Sequence, residues 1–166
     1  MEAALRAVER HAFVPDAAIA DAYASGIVVT KRGPGNNVLS CLSEPGIVAL
    51  QLGQLDVRPG HRVLEVGAGT GYTAALLAHP AGPQGQITTI DVDADIVTDA
   101  RRHLGAVGFG SVEVVLGDGA LGHPGGGPYD RIVAAVTAQI FPVMDGKVNQ
   151  RSDLDRCAGT HPKSGS

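Results

Sequence analysis

The sequence predicts an α/β protein with a doubly wound, mostly parallel sheet. Three observations lead to this prediction. A glycine-rich turn follows a short apolar strand, strands alternate with helices after residue 58, and acidic residues follow three of the strands. Alternation of this kind forms a parallel sheet, because each helix returns the chain to the same end of the sheet. Ligands of such sheets bind at the carboxyl ends of the strands, where the acidic residues would lie.

Residues 1–57 are predicted to form an N-terminal helical and substrate-loop region. Its expected elements are a short helix that starts at residue 2 and ends before His11, a second helix over 16–23, a β-like run over 27–30, a loop over 31–37 and a helix that ends near Leu55. Ser43 precedes Pro45 and is a good N-cap residue, so it is predicted to open that last helix.

The core region, residues 58–142, opens on a buried strand at 63–66 and a turn that contains Gly67, Gly69 and Gly71. Glycine lets the backbone turn sharply and approach a ligand closely. The third glycine comes one position too early for a dinucleotide-binding fingerprint, and Glu65 would repel a pyrophosphate. These features favour a cofactor with a cationic group and no phosphate, and S-adenosylmethionine fits. The alternative is an ordinary turn beside a solvated glutamate.

Three further strands complete the predicted sheet. The expected elements are a helix over 73–78 stopped by Pro80, a strand over 86–90, a helix from Asp93 to about Leu104, and strands over 112–116 and 131–136. Asp93 is predicted to cap its helix, because a side-chain carboxylate at that position accepts hydrogen bonds from the first free N–H groups.

Glu65, Asp91 and Asp118 follow three strands, so a parallel sheet would gather them at one edge. Asp91 lies at about the 20-residue offset expected of an acid that binds ribose hydroxyls. Asp118, between two glycines, could accept a hydrogen bond from an adenine amino group. Each acid alone is equally compatible with a solvated loop residue.

The composition is that of one globular domain, with 166 residues of which 44% are hydrophobic. A formal net charge of −4 and the lack of a basic cluster argue against a nucleic-acid partner. No apolar run approaches the roughly 20 residues of a membrane span, and no signal peptide is recognised, so we expect no membrane partner and a cytoplasmic location. Cys41 and Cys157 match no metal-binding spacing, so no metal site is expected.

Several motifs together resemble the protein-L-isoaspartate O-methyltransferase family of class I S-adenosylmethionine-dependent methyltransferases. The resemblance covers residues 5 to 140 and is closest to an actinobacterial branch that esterifies aspartates in precursor peptides. The motifs are Arg10-His11-Ala12-Phe13-Val14-Pro15, Ser43-Glu44-Pro45, Arg58-Pro59-Gly60, the run from Glu65 to Tyr72, Asp91, Gly117-Asp118-Gly119 and Pro128-Tyr129-Asp130.

The resemblance implies a Rossmann-like fold and methyl transfer to an aspartyl or isoaspartyl carboxylate of a protein or peptide. Ser43 matches the family's active-site serine, which gives it a candidate catalytic role beside its role as a cap. The implied cofactor residues are Glu65, Gly67, Ala68, Gly69, Thr70, Gly71, Asp91, Val92, Asp118 and Gly119, and the candidate substrate residues are Lys31, Asn37 and Ser40. His11 is interpreted as a structural residue packed beside Phe13 rather than as a general base.

Family members continue past the fourth strand, whereas nothing after Pro142 resembles their last elements. Residues 143–166 are therefore expected to be a disordered tail, and the sheet is expected to lack its last strands. Such a sheet would expose the edge of the strand at 131–136 and favour self-association. Two other functions stay open, a non-catalytic cofactor-binding remnant and a nicotinamide-dependent oxidoreductase. A serine hydrolase is excluded, because no G-x-S-x-G motif occurs.

Overall fold

A computed structural model describes residues 2–135 of the chain. The expected tail at 143–166 and the last residue of the predicted fourth core strand lie outside these residues. The helices are α1 (Glu2–Ala7), α2 (Ile19–Tyr23), α3 (Pro45–Leu55), α4 (Tyr72–Ala81) and α5 (Ala94–Ala106). The strands are β1 (Val28–Arg32), β2 (Val38–Leu42), β3 (Arg62–Val66), β4 (Gln86–Asp91), β5 (Glu113–Leu116) and β6 (Arg131–Ala134).

The core of the molecule is a four-stranded parallel sheet in the order β5-β4-β3-β6, as the alternation of strands and helices predicts. The central strand β3 pairs with β4 on one side and β6 on the other, in a register that places Glu65 opposite both Thr89 and Val133. The strands therefore end side by side, and the loops that follow β3, β4 and β5 lie at the same edge of the sheet.

The segment before the core contains a β-hairpin that the sequence analysis did not predict. β1 and β2 pair antiparallel from Val28 opposite Leu42 to Arg32 opposite Val38, so the predicted loop over 31–37 begins too early. Leu42 is the one fully buried side chain of the hairpin. Backbone pairing holds this hairpin together, and neither of its faces is buried as a whole. Its sequence therefore lacks the alternation of apolar and polar residues that would indicate two strands.

The helix ends differ from the predicted ones in three places. α1 ends at Ala7, and residues 10–13 form a short 3-10 helix in place of a continued α-helix. α2 begins at Ile19 and not at residue 16. α4 passes through Pro80 to Ala81 and ends at Gly82, whose φ of 67° only glycine adopts readily. Pro80 lies in the last turn, so the hydrogen bond that an N–H at this position would donate to the Leu76 carbonyl is the one that the helix lacks.

The N-terminal segment packs on the same face of the sheet as α4 and α5. Phe13 is fully buried, and its ring lies 5.4 Å from the ring of Tyr72 and 6.3 Å from that of His103. Buried residues from both sides of the predicted boundary at residue 57 thus share one hydrophobic core. The three-region division of the chain stays a prediction.

Candidate functional site

The glycine-rich turn after β3 has a backbone that its glycines make possible. Gly67, Gly69 and Gly71 have φ angles of 97°, 50° and 88°, in the left-handed region that side chains with a Cβ rarely adopt. The N–H of Gly67 donates to the Ile90 carbonyl at 2.8 Å, which fixes the turn to the end of β4. A Cβ on Gly71 would lie 3.0 Å from the side chain of Leu104, so this position also needs a small residue for packing.

Asp91 ends β4 beside this turn. Its Oδ2 accepts a hydrogen bond from the Gly69 N–H at 3.4 Å, and its Oδ1 accepts one from the Asp93 N–H at 3.1 Å. The carboxylate is thus held between the glycine-rich turn and the start of the next helix. Its remaining lone pairs can accept hydrogen bonds from a ligand.

Glu65 is fully buried, with an exposed fraction of 0%. Neither of its carboxylate oxygens has a hydrogen-bond partner among the described residues. Burial raises the pKa of Glu65 to about 8, the nearby Thr89 hydroxyl opposes that rise, and the charge of Asp91 adds to it. The alternative of a solvated glutamate is therefore wrong. A buried carboxyl without partners would be stabilised by a cationic or hydrogen-bond-donating ligand at this edge.

A cavity of about 450 Å³ lies at the carboxyl end of the sheet. Six residues of the predicted site line it, namely Ser40, Ser43, Gly67, Gly69, Asp91 and Val92. Its other lining residues include Gln51 of α3 and apolar side chains of β2, α3 and α5. The cavity therefore brings the hairpin, the start of α3 and the two predicted cofactor loops onto one space, with a volume typical of small-molecule sites.

Ser43 does not cap α3, contrary to one of its two predicted roles. The side chain of Glu44 accepts from the Ile47 N–H at 2.9 Å and is the N-cap. Hydrogen bonds from the backbone N–H groups of Gly46 and Ile47 lower the pKa of Glu44. The Glu44 side chain is long enough to reach back over the first turn, which leaves Ser43 on the cavity wall with no capping role.

Lys31 has its ammonium group engaged with carboxylates. Its Nζ lies 2.6 Å from an oxygen of Asp93 and 2.9 Å from one of Asp95. Hydrogen bonds with Asp93 and Asp95 raise the pKa of Lys31, and the bond with Lys31 lowers that of Asp93. Asp93 also caps α5, as predicted, by accepting from the N–H groups of Asp95 and Ile96. Lys31 therefore ties the hairpin to the start of α5.

The remaining predicted site residues do not line the main cavity. Lys31 and Thr70 line a neighbouring cavity of about 430 Å³, which shares Ser40 and Gly69 with the main one. Ala68 is buried behind the turn, and Asn37 lies exposed at the end of the hairpin.

Asp118 follows β5 and accepts from the Ala120 N–H at 2.9 Å. The residue before it, Gly117, donates its N–H to the Asp91 carbonyl at 2.9 Å, so Asp118 lies close to the end of β4. A Cβ on Gly119 would collide with Val66, so the loop packs directly on the end of β3. Glu65 thus lies inside β3, Asp91 ends β4 and Asp118 follows β5. Of these three acids on adjacent strands, Asp91 alone lines the cavity.

The sequence analysis missed two residues and misplaced one. Arg10 is buried at 2% exposure and hydrogen-bonds two distant carbonyl groups, and Gln51 lines the main cavity. No local pattern in the sequence indicates either residue, since both acquire these contacts only after folding. The ring neighbours of Phe13 are Tyr72 and His103, whereas His11 has its Nδ1 3.1 Å from the hydroxyl of Tyr23.

Two general features complete the description of the site. Within residues 2–135, His, Cys, Asp and Glu side chains do not form a group of three or more that could hold a metal ion. The helices in the same part of the chain are all too short or too polar to cross a membrane.

Residues 1–145 match the sequence model of a family described as protein-L-isoaspartate(D-aspartate) O-methyltransferase. The chain is 39% identical over 140 residues to a protein-L-isoaspartate O-methyltransferase of Methanopyrus kandleri, a match that covers 84% of this chain and 59% of the relative. It is 42% identical over 139 residues to the enzyme of that name in Methylorubrum extorquens, with 84% and 57% covered. The chain therefore spans a little under 60% of the length of these relatives.

Solved structures agree with this assignment. A protein-L-isoaspartate O-methyltransferase structure superposes with a TM-score of 0.71 at 29% identity, over 80% of this chain and 43% of the other. A Plasmodium falciparum structure described as a beta-aspartate methyltransferase in complex with S-adenosyl-L-homocysteine gives a TM-score of 0.68 at 18% identity, over 84% and 66%, which supports the fold. The chain belongs to the protein-L-isoaspartate(D-aspartate) O-methyltransferase family.

Proposed function

We propose that the chain is an S-adenosylmethionine-dependent O-methyltransferase that acts on an aspartyl or isoaspartyl carboxylate of a protein or peptide. One observation carries the proposal. Ser43, matched by resemblance to the family's active-site serine, lines the same cavity as Gly67, Gly69 and Asp91 of the predicted cofactor loops. A transferase needs this arrangement, since donor and acceptor must meet in one space.

The residues present fit a cofactor that is cationic and carries no phosphate. Asp91 has its carboxylate fixed by two backbone N–H groups and accepts hydrogen bonds from ribose hydroxyls. Asp118 lies near the end of the adjacent strand and would accept a hydrogen bond from the adenine amino group. Glu65 is buried without a hydrogen-bond partner, and burial raises its pKa to about 8. A cationic ligand nearby would stabilise its charged form, which the phosphates of a dinucleotide would not do.

The bound cofactor would supply an electrophilic methyl group on a sulfonium. An aspartyl-type carboxylate has a pKa near 4 and is already a nucleophile at neutral pH, so the protein needs no general base. The task of the chain is to orient the acceptor and exclude water from it. Ser43 donates its hydroxyl to an acceptor oxygen, Ser40 lines the cavity wall beside it, and the apolar side chains of Leu39, Ile47 and Ile96 limit access of water.

Lys31 and Asn37 of the β1–β2 hairpin are proposed to contact the peptide around the acceptor residue. Lys31 would do so only by exchanging one of its two carboxylate partners for the substrate. The sequence of residues 30–43 resembles the actinobacterial branch that esterifies aspartates in precursor peptides, which favours a precursor peptide over a damaged protein as the acceptor.

Self-association through β6 is also part of the proposal. Among the described residues, β6 pairs with β3 alone, and Ile132 on it is 62% exposed. An open apolar strand edge is a ready partner for the same strand of a second copy.

Titration calorimetry with S-adenosylhomocysteine and with NAD tests the cofactor assignment. The proposal predicts saturable binding of S-adenosylhomocysteine and none of NAD. Binding of NAD with no binding of S-adenosylhomocysteine would favour the oxidoreductase and overturn the proposal.

A further inference from the structure

We propose that Arg10 is a positioning residue, which holds Ser43 against the helix that follows the glycine-rich turn. This inference rests on the proposed methyl transfer and adds to it a residue that contacts neither reactant. It starts from an unusual burial. Arg10 is 2% exposed, and its guanidinium has no carboxylate within salt-bridge distance among the described residues.

Two backbone carbonyl groups take the place of a carboxylate. The Nε of Arg10 donates to the Ala22 carbonyl at 2.6 Å, and its Nη2 donates to the Ser43 carbonyl at 2.6 Å. Burial lowers the pKa of Arg10, but an arginine stays charged in proteins. The charge of Glu44 acts on Arg10, but no direct ion pair forms between them. Burying a cation without such a pair is costly, so its retention suggests a role beyond stability.

The guanidinium joins three segments that are far apart in the sequence. Ala22 lies in α2, Ser43 lies between β2 and α3, and the ring of Tyr72 is the third contact, with its centroid 5.2 Å from the guanidinium carbon. Tyr72 begins α4 directly after Gly71, so it is joined to the glycine-rich turn. Arg10 therefore fixes the position of Ser43 relative to the turn that is proposed to bind the cofactor.

The Ser43 carbonyl is a suitable place for such an anchor. Fixing it restricts the backbone of Ser43 and hence the direction in which its hydroxyl points. Glu44 caps α3 and directly follows Ser43, so the anchor on the Ser43 carbonyl also restrains the first turn of that helix. The arginine fork can hold two carbonyl groups in fixed directions at once, which the point charge of a lysine does not reproduce.

The first experiment compares Arg10→Lys with Arg101→Lys as a matched control. Arg101 also donates from Nη2 to a backbone carbonyl, that of Val114 at 2.6 Å, but away from Ser43. We expect Arg10→Lys to lower kcat about tenfold or more, because small misplacements at a reacting centre are costly. The affinity for S-adenosylhomocysteine should stay unchanged, and the control should keep both values.

The second experiment uses Arg10→Ala with added guanidinium ion, which can occupy the vacated space. Partial recovery of kcat in Arg10→Ala, and none in Arg101→Ala, supports the positioning role. Unchanged kcat in Arg10→Lys would overturn it. Loss of activity only in proportion to the unfolded fraction, or failure of both Arg10 variants to fold, would also overturn it, since either result shows a purely structural residue.

Hydrogen exchange separates this inference from the proposed function. In Arg10→Lys, the amides of Ile47 and Val48 should exchange faster than in the wild type, while those within α4 should not. This readout needs no turnover. If the wild type transfers no methyl group, the exchange pattern alone tests whether Arg10 anchors the backbone at Ser43. An unchanged pattern at residues 47 and 48 would overturn that role.

Discussion

The Asp91 carboxylate accepts a hydrogen bond from the backbone N–H of Gly69, at 3.4 Å across the carboxyl end of the sheet. These residues lie after different strands, and the pair forms because β3 and β4 are parallel neighbours in register. The bond holds the carboxylate beside the turn that is proposed to bind the cofactor. It also places Asp91 on the wall of the cavity that Ser43 lines.

Replacing Asp91 with alanine should weaken binding of S-adenosylhomocysteine by roughly 1.5–3 kcal/mol, the range for hydrogen bonds that involve a charged group. Titration calorimetry measures the change. Asp21→Ala is a suitable control, because Asp21 is an exposed residue of α2 that lines neither cavity. Wild-type affinity in Asp91→Ala would remove Asp91 from the cofactor site.

Ser43→Ala should change the rate of methyl transfer, whereas Glu44→Ala should change the stability of the fold. Ser43→Ala should lower the rate of methyl transfer and leave the free energy of unfolding nearly unchanged, because Ser43 does not cap α3. Glu44→Ala should lower the free energy of unfolding by about 1 kcal/mol through loss of the cap. Single-turnover rates and thermal melting of both variants test the pair. Equal turnover of folded wild type and Ser43→Ala would show that Ser43 does not orient the acceptor.

Glu65 should make stability depend on pH. Its pKa of about 8 in the folded state lies above the ordinary value of 4.5, so the unfolded chain releases this proton at lower pH than the folded one. The protonated Glu65 therefore contributes fully to the free energy of unfolding below pH 4.5, and this contribution is lost as the pH rises toward 8. Denaturant unfolding of the ligand-free protein should show Glu65→Gln gaining up to about 5 kcal/mol in free energy of unfolding over wild type across this range. Parallel pH profiles for the two proteins would contradict the burial of an uncompensated carboxyl.

The edge of β6 should determine the oligomeric state. Light scattering of the full chain should give a mass that rises with concentration, and Ile132→Lys should reduce it, because a charge on an edge strand opposes pairing. Val38→Lys places the same charge on an exposed apolar residue of the hairpin and serves as the control. A wild type that stays monomeric at every concentration would show that this edge does not mediate self-association.

The parts of the fold that could be predicted are those with a strong local signal. The buried strand before Gly67, the cap formed by Asp93 and the order of strands and helices all follow from short stretches of sequence. The hairpin could not be predicted in this way, since backbone pairing forms it and only Leu42 is fully buried. Pro80 was predicted to stop the helix after residue 78, but α4 continues to Ala81 and its end is set by Gly82. Where a helix ends relative to its proline could not be read from the proline alone.

At the site, residue types could be predicted better than contacts. Ser43 and Glu44 are both able to cap α3, and the choice between them depends on which side chain reaches the Ile47 N–H. The burial of Glu65 depends on strands that flank it on both sides. Arg10 meets Ala22 and Ser43 only after folding, so no local pattern indicates its role.

The most direct test of the proposed function is mass spectrometry of isoaspartyl and aspartyl peptides, incubated with S-adenosylmethionine and the full chain. The account predicts a peptide product that carries a methyl ester on its aspartyl or isoaspartyl residue. Ser43→Ala should form much less of this product than the wild type. Binding of S-adenosylhomocysteine without any methylated product, from peptides of either kind, would contradict the account and identify the chain as a cofactor-binding remnant.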